Sequence, residues 1–204
     1  MTDIVYRYQG KVYFNLTNRC PCRCTFCIRS NGPAVGEAEN LWFQKEPSME
    51  EIRQAIDDFD FQDCKEAVFC GYGEPVAALN KLLFTSRYVR KKYDLSLRLN
   101  TNGLGDLIWG RSVAKEVCRA VDSVSVSLNM PDAASYDQVV RSIYGEQAFP
   151  AMLRFACSCK KYLDDVRFTV VDCIGEEKVE RSRILAESLG IPLRVRAYEG
   201  KKED

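Results

Sequence analysis

Short apolar runs alternate along the chain with longer segments in which apolar residues recur every three or four positions. The short runs, some with a period of two, predict strands at 11–17, 66–70, 96–100, 123–129, 166–172 and 193–198. The longer segments predict one helix that begins at Ser48 and further helices at 77–93, 108–120, 134–143, 151–162 and 179–189. This alternation is typical of repeated βα units around a parallel sheet.

A long segment separates the first predicted strand from the first predicted helix. Residues 30–47 contain Gly32, Pro33 and Gly36, which predict an irregular loop rather than a helix. The loop ends at Ser48, and Glu51 follows three positions later, which is the pattern of a capping box. We therefore expect the helix to begin there.

The number of predicted elements indicates a fold class. Six strands and the helices between them account for the chain, apart from a charged tail at 199–204. A closed eight-unit barrel usually takes about 250 residues, which is more than this chain offers. We therefore expect an α/β fold, a partial (βα)6 TIM-like barrel with parallel strands, built from residues 1–204 as a single domain. In such folds ligands bind at the carboxyl ends of the strands.

Composition narrows the functional classes. With 46% hydrophobic residues and 29 basic against 29 acidic side chains, the chain is expected to be globular, without a strong signal for binding nucleic acid. No apolar stretch approaches the roughly 20 residues of a membrane span, and the first residues lack the pattern of a signal peptide, so we predict a cytoplasmic protein that does not bind membranes. Ten cysteines then indicate metal or thiol chemistry, and the absence of histidine excludes His-based triads and Cys2His2 zinc sites.

Four of the ten cysteines lie directly after the first predicted strand. Cys20, Cys24 and Cys27 are separated by three residues and then by two, whereas Cys22 fits neither spacing. Three thiolates on one loop can hold three irons of a cubane iron-sulfur cluster and leave its fourth iron open. Zinc would need a fourth ligand, and the sequence offers neither a Cys-x2-Cys partner pair nor a histidine for it. We interpret Cys22 as a packed or exposed thiol.

Small and polar residues follow the next three predicted strands, where a ligand would bind. These candidates are Gly71, Gly73 and Glu74 after the second strand, Asn100 and Asn102 after the third, and Ser127 and Asn129 at the end of the fourth. Cys70 directly precedes the glycine turn and is kept as a further candidate. The other dispersed cysteines lie in apolar patterns and are expected to be small buried hydrophobic residues.

The Cys-x3-Cys-x2-Cys motif, with Phe26 just before its last cysteine, resembles the cluster motif of the radical S-adenosylmethionine superfamily. The resemblance extends from the first to the last predicted strand. Gly71-Tyr-Gly-Glu-Pro75 is similar to the glycine-glycine-glutamate motif of that superfamily, and Thr101-Asn-Gly103 and Ser127-Leu-Asn129 also have counterparts there. Within the superfamily the chain looks most similar to the small TatD-associated radical SAM proteins.

The resemblance implies a [4Fe-4S] cluster on Cys20, Cys24 and Cys27, with S-adenosyl-L-methionine (SAM) bound at the open iron. Glu74 would accept the methionine ammonium, while Gly71 and Gly73 would let the backbone approach the cofactor. The remaining implied contacts are ribose hydroxyls at Asn100, Asn102, Ser127 and Asn129, and adenine against Phe26 with Val170 behind it. No catalytic residue beyond these two cofactor sites is assigned.

The resemblance also implies partners and a reaction class. Reductive cleavage of SAM would give methionine and a 5'-deoxyadenosyl radical that takes hydrogen from an unknown substrate. An electron donor such as flavodoxin or ferredoxin would be required, and the subgroup implies a functional link to a TatD-type nuclease. Two alternatives stay open: a glycyl-radical-enzyme activase, and a non-enzymatic iron-sulfur electron-transfer or zinc structural protein, although the latter gives no reason for Gly71, Gly73 and Glu74.

Overall fold

The protein is represented by a computed structural model, which describes residues 2–198. Its centre is one sheet with the strands in sequence order: β1 (Val5–Tyr8), β2 (Lys11–Phe14), β3 (Glu66–Phe69), β4 (Ser96–Thr101), β5 (Ser123–Ser127), β6 (Val166–Val171) and β7 (Leu193–Arg196). Strands β2 to β7 are parallel, and β1 pairs antiparallel with β2. The α/β fold with six parallel strands, expected as a partial TIM-like barrel, is confirmed. The expected tail at 199–204 lies outside the described residues.

Strand β1 is a correction to the six-strand prediction. It covers only four residues and returns to β2 through Gln9 and Gly10, whose φ angles are +48° and +70°. Positive φ at both loop residues is typical of the tight two-residue hairpin turn. The segment was missed because a four-residue strand is too short to show a clear alternation of apolar and polar residues.

The helices lie between the parallel strands as the sequence predicts, with different boundaries. They are α1 (Met49–Asp58), α2 (Leu79–Lys92), α3 (Gly105–Trp109), α4 (Ala114–Ala120), α5 (Ala133–Val140), α6 (Ala148–Cys159) and α7 (Glu176–Ser188). The single helix expected at 108–120 is divided, because Gly110 has a φ of +62° and ends α3. Pro150 lies in the first turn of α6, whereas the predicted helix begins one residue after it. The N–H groups of a first turn have no partner within the helix, so proline costs no hydrogen bond there. None of the helices in this part of the chain has the length and apolar character to cross a bilayer.

The two faces of the sheet differ in character because side chains alternate along each strand. One face carries residues such as Phe14, Phe69 and Phe168, which are fully buried in one core with helix residues. The other face is polar, since the strand register places Asn100 beside Ser125. The helices therefore cover the apolar face, and the polar face and the carboxyl ends of the strands are left for a site.

The start of α1 tests the prediction that a capping box begins this helix. The Ser48 hydroxyl accepts a hydrogen bond from the Glu51 N–H at 3.2 Å, and the Glu51 carboxylate accepts one from the Ser48 N–H at 2.6 Å, so the expected capping box is present. We expect Ser48→Ala to lower the free energy of unfolding by about 1 kcal/mol, whereas Ser48→Asp should retain most of it. Urea denaturation followed by circular dichroism measures both; equal losses in the two variants would contradict the capping role.

Candidate functional site

The cysteine loop follows β2 and is fixed by backbone hydrogen bonds to the end of α5. The Arg23 and Thr25 N–H groups donate to the carbonyls of Val140 and Val139 at 3.1 and 2.9 Å. Directly after α5, the Ile143 N–H donates to the Pro21 carbonyl at 2.9 Å. The loop is therefore held in place along most of its length by an element distant in sequence.

All ten cysteines are free thiols, and four of them are gathered in this loop. Cys22 is only 2% exposed, and its thiol hydrogen-bonds to the sulfurs of Cys20 and Cys24. These bonds lower the pKa of Cys20 to about 6 and also lower that of Cys24, whereas the pKa of Cys22 is raised. Burial raises the pKa of Cys27. The hydrogen bonds thus favour deprotonation of Cys20 and Cys24 over deprotonation of Cys22.

The donor set can be compared with the cluster that the sequence implies. Within residues 2–198 no three His, Cys, Asp or Glu side chains are grouped as ligands of a single metal ion. Soft thiolates without a carboxylate or imidazole suit iron-sulfur clusters, in which each cysteine binds a different iron. Below the loop, the hydroxyl of Tyr136 on α5 is buried and lacks a hydrogen-bond partner among the described residues. An unsatisfied buried hydroxyl on the helix that holds the loop fits a group bound there.

Glu74 connects two of the turns at the carboxyl ends of the strands. It is 4% exposed, and its carboxylate accepts hydrogen bonds from the Thr101 hydroxyl at 2.7 Å, the Asn102 N–H at 2.8 Å and the Val76 N–H at 3.1 Å. Burial, followed by the nearby charge of Cys20, raises the pKa of Glu74 to about 7. A carboxylate has about four acceptor positions, so the three bonds leave room for about one further donor.

Gly71 and Gly73 allow the turn after β3 to pack against the end of β2. A Cβ at Gly71 would lie 2.2 Å from the Asn15 Oδ1, and one at Gly73 would lie 2.1 Å from the Thr17 carbonyl oxygen. The sequence interpretation assigned these glycines to close approach of the cofactor. The structure shows that they are needed for contact between the turn and the segment that leads into the cysteine loop.

Among the amide and hydroxyl candidates, Asn102 reaches the cysteines. Its side-chain N–H2 group lies 3.6 Å from the Cys22 Sγ and 3.9 Å from the Cys20 Sγ. Asn100 is turned to the polar face of the sheet, where it accepts from the Arg98 guanidinium at 2.9 Å and hydrogen-bonds to Cys70.

Ser127 and Asn129 lie at the end of β5. Ser127 is partly exposed, whereas Asn129 is 5% exposed and has a φ of +63°, a conformation that Asn tolerates better than most residues. Neither side chain makes a hydrogen bond within residues 2–198, so their assignment to the ribose stays a prediction.

Phe26 borders a cavity of about 340 Å³ at the carboxyl ends of β5 to β7. The cavity is lined by Thr25, Phe26, Met130, Val139, Cys173, Ile174, Lys178 and Tyr198. Val170, which was expected behind the adenine, is fully buried and does not line it. On β6, Val170 pairs with Val195, and the adjacent pair of Thr169 and Arg194 lies on the polar face. Because side chains alternate along a strand, Val170 lies on the opposite face, against the helices.

Sequence reasoning missed two residues of this site. Thr101 looked like part of a turn motif, although its hydroxyl binds Glu74. Tyr136 lies within the helix predicted at 134–143, and nothing in its neighbourhood along the chain signals that its hydroxyl is buried without a partner on the helix that holds the cysteine loop. Only the pairing of α5 with the cysteine loop reveals it.

A protein-family model described as the Radical SAM superfamily matches residues 14–180. Three solved structures share the fold over most of this chain. The first is a radical SAM methyltransferase from Sphaerobacter thermophilus, with a TM-score of 0.55 and 13% identity over 96% of this chain and 69% of that one. The second is native anSMEcpe with bound AdoMet, with a TM-score of 0.61 and 18% identity over 94% of this chain and 52% of that one. The third is Streptococcus suis SuiB bound to S-adenosylmethionine, with a TM-score of 0.55 and 15% identity over 94% of this chain and 39% of that one. The chain therefore spans about half or less of the length of the last two. A search of curated proteins found no significant match.

The packing of the glycine turn can be tested directly. Gly73→Ala places a methyl group against the Thr17 backbone, whereas Gly32→Ala, in the long loop, meets no atom within 4 Å. We expect Gly73→Ala to lower the free energy of unfolding by about 1–3 kcal/mol, as overpacking usually does. Gly32→Ala should leave it nearly unchanged. Chemical denaturation measures both variants, and equal stability of the two would show that the turn can move away without loss.

Proposed function

The chain belongs to the radical SAM superfamily, and we propose that its cysteine loop and the adjoining strand ends form the site where it generates a radical and takes a hydrogen atom from a substrate. It is an enzyme, and the cofactors of its superfamily are a [4Fe-4S] cluster and SAM. When bound, these cofactors supply one-electron cleavage of SAM to methionine and a 5'-deoxyadenosyl radical. The observation that carries the proposal is the convergence of Cys20, Cys24, Asn102 and buried Glu74 at one end of the sheet.

Cys20, Cys24 and Cys27 would hold the cluster. The depressed pKa values of Cys20 and Cys24 support this assignment, because thiolates and not thiols bind iron. Cys27 has a raised pKa, and bound iron would stabilise its deprotonated form. The backbone bonds to α5 hold the loop in place before any cluster binds, which reduces the ordering that binding requires.

Glu74 would hold the ammonium of SAM with its remaining acceptor position. Its three existing hydrogen bonds fix the carboxylate, so the ammonium meets a group that is already oriented. Gly71 and Gly73 would act indirectly, since they seat the turn that carries Glu74.

The remainder of SAM would extend from Glu74 toward the cavity beside Phe26. A volume of about 340 Å³ lies in the usual range of small-molecule pockets, and the ring of Phe26 offers a stacking surface for adenine. Asn102, Asn100, Ser127 and Asn129 would provide the polar contacts to ribose. The walls formed by Met130 and Ile174 would help to keep water from the radical.

The wider context is part of the proposal. Residues 1–204 would form one catalytic core domain, similar to the TatD-associated subgroup, in a reducing cytoplasm that keeps the thiols free. Superfamily enzymes need a reductant and a substrate; we propose flavodoxin or ferredoxin as the reductant. The link to a TatD-type nuclease rests on the subgroup alone. The substrate stays unassigned.

The first prediction concerns the metal. Anaerobically reconstituted protein should bind about four irons per chain, and Ala at Cys20, Cys24 or Cys27 should remove most of that iron. Cys157→Ala, a partly buried thiol on α6, is the matched control and should retain four. Elemental analysis and ultraviolet-visible spectra report the result. Zinc alone, or an intact cluster without all three thiols, would rule out the proposal.

The second prediction concerns SAM. With dithionite, the reconstituted protein should release 5'-deoxyadenosine slowly from SAM in the absence of substrate, measured by liquid chromatography. Glu74→Ala should weaken SAM binding about 10- to 100-fold, because it removes a charge-assisted hydrogen bond. Glu116→Ala, which breaks a surface pair with Arg111, should not affect it. Equal affinity in both variants, with iron content unchanged, would contradict the role of Glu74.

A further inference from the structure

Two buried hydrogen-bond donors belong to the cysteine loop and to the helix that holds it, and neither has a part in the proposed binding of cluster or SAM. Cys22 is 2% exposed and Tyr136 is 1% exposed. One is a thiol within the loop, and the other is a phenol on α5, which packs beneath it.

The Tyr136 hydroxyl is buried without a partner in the described part of the chain. The ring is held by an edge-to-face contact with Phe149, with the centroids 5.3 Å apart. Burial raises its pKa, and the neighbouring cysteines of the loop and Glu74 raise it further. The helix that carries this hydroxyl is bonded to the cysteine loop through the carbonyls of Val139 and Val140. An acceptor bound at the loop would satisfy the hydroxyl.

Cys22 lies between two of the proposed ligands and on the same side as Asn102. The Asn102 Oδ1 accepts from the Leu104 N–H at 2.9 Å, which fixes the amide so that its N–H2 group faces the Cys22 sulfur at 3.6 Å. The Cys22 sulfur thus has a donor of its own, and its single S–H is left to donate to the sulfur of Cys20 or Cys24, both of which lie within hydrogen-bond reach.

We propose that Cys22 and Tyr136 donate hydrogen bonds to the sulfurs of the cluster and its cysteine ligands, and thereby raise the reduction potential of the cluster. This inference rests on the proposed function, because it requires a cluster on the three ligand cysteines. Reduction of a bound cluster would move one electron from the reductant to the cluster and add negative charge to its sulfurs. Donors directed at those sulfurs stabilise the reduced form more than the oxidised form. Neither residue forms or breaks a covalent bond in this step, and each acts only through its hydrogen bond to sulfur.

The experiment compares reduction potentials by spectroelectrochemical titration monitored by electron paramagnetic resonance. Tyr136→Phe removes only the hydroxyl, and Cys22→Ala removes only the thiol. We expect each to retain about four irons and, at a fixed solution potential, to lower the ratio of reduced to oxidised cluster about tenfold. That change corresponds to about 59 mV for one electron. Cys22→Ser keeps a donor and should restore most of the potential.

Matched controls separate this effect from general changes in packing. Cys159→Ala removes a fully buried thiol from α6, and Tyr88→Phe removes a hydroxyl that binds Asp57 far from the loop. Both should keep the wild-type potential. Wild-type potentials in Tyr136→Phe and Cys22→Ala would overturn the inference. Loss of iron in Cys22→Ala would also overturn the inference, whether or not Cys22→Ser keeps its iron. Cys22 would then be needed to assemble the cluster. Failure of the proposed function itself would be seen separately, as wild-type protein without a cluster.

Discussion

The buried carboxylate of Glu74 is the interaction on which the rest of the site depends. Its oxygens accept from Thr101, Asn102 and Val76, while its own N–H donates to the Arg19 carbonyl at 2.8 Å. One residue therefore ties the turn after β3 to the turn after β4 and to the beginning of the cysteine loop. A carboxylate in this position is costly to bury, and its raised pKa reflects that cost. Each hydrogen bond offsets part of it and, in doing so, fixes the relative position of three strand ends.

The division of the sheet into two faces makes room for this arrangement. Parallel pairing keeps Phe14, Phe69 and Leu99 on the helix side, where all three are fully buried. The same register leaves Asn100 and Ser125 on the opposite face. The polar side chains therefore need no helix to cover them and can meet a ligand. Cys70, at the end of β3, belongs to this polar surface through its bond to Asn100.

Much of this could be predicted from sequence because the signals are local. The capping box at Ser48 needs only residues three positions apart, and the βα alternation needs only periodicity. The break at Gly110 could not be foreseen with the same certainty, since glycine is tolerated inside helices and only its backbone angle shows that it ends one. Tyr136 and Thr101 are recognised only through contacts between distant segments. The sequence predicted which residue types belong to the site, and the structure adds which of them are in contact. The Asn102 amide contacts the Cys22 sulfur, whereas Asn100 hydrogen-bonds to Cys70.

The backbone bonds between the cysteine loop and α5 also have a consequence for the order of assembly. The loop belongs to the first part of the chain, whereas its partners Val139 and Val140 come after five of the seven strands. On the ribosome, the cysteines emerge long before the helix that holds them. Contacts between such distant segments form late in folding, since the intervening chain must first be ordered. The loop therefore reaches its final shape only after α5 has been made, and a cell that delivers iron and sulfide to the nascent chain before then would meet flexible thiols rather than a finished site.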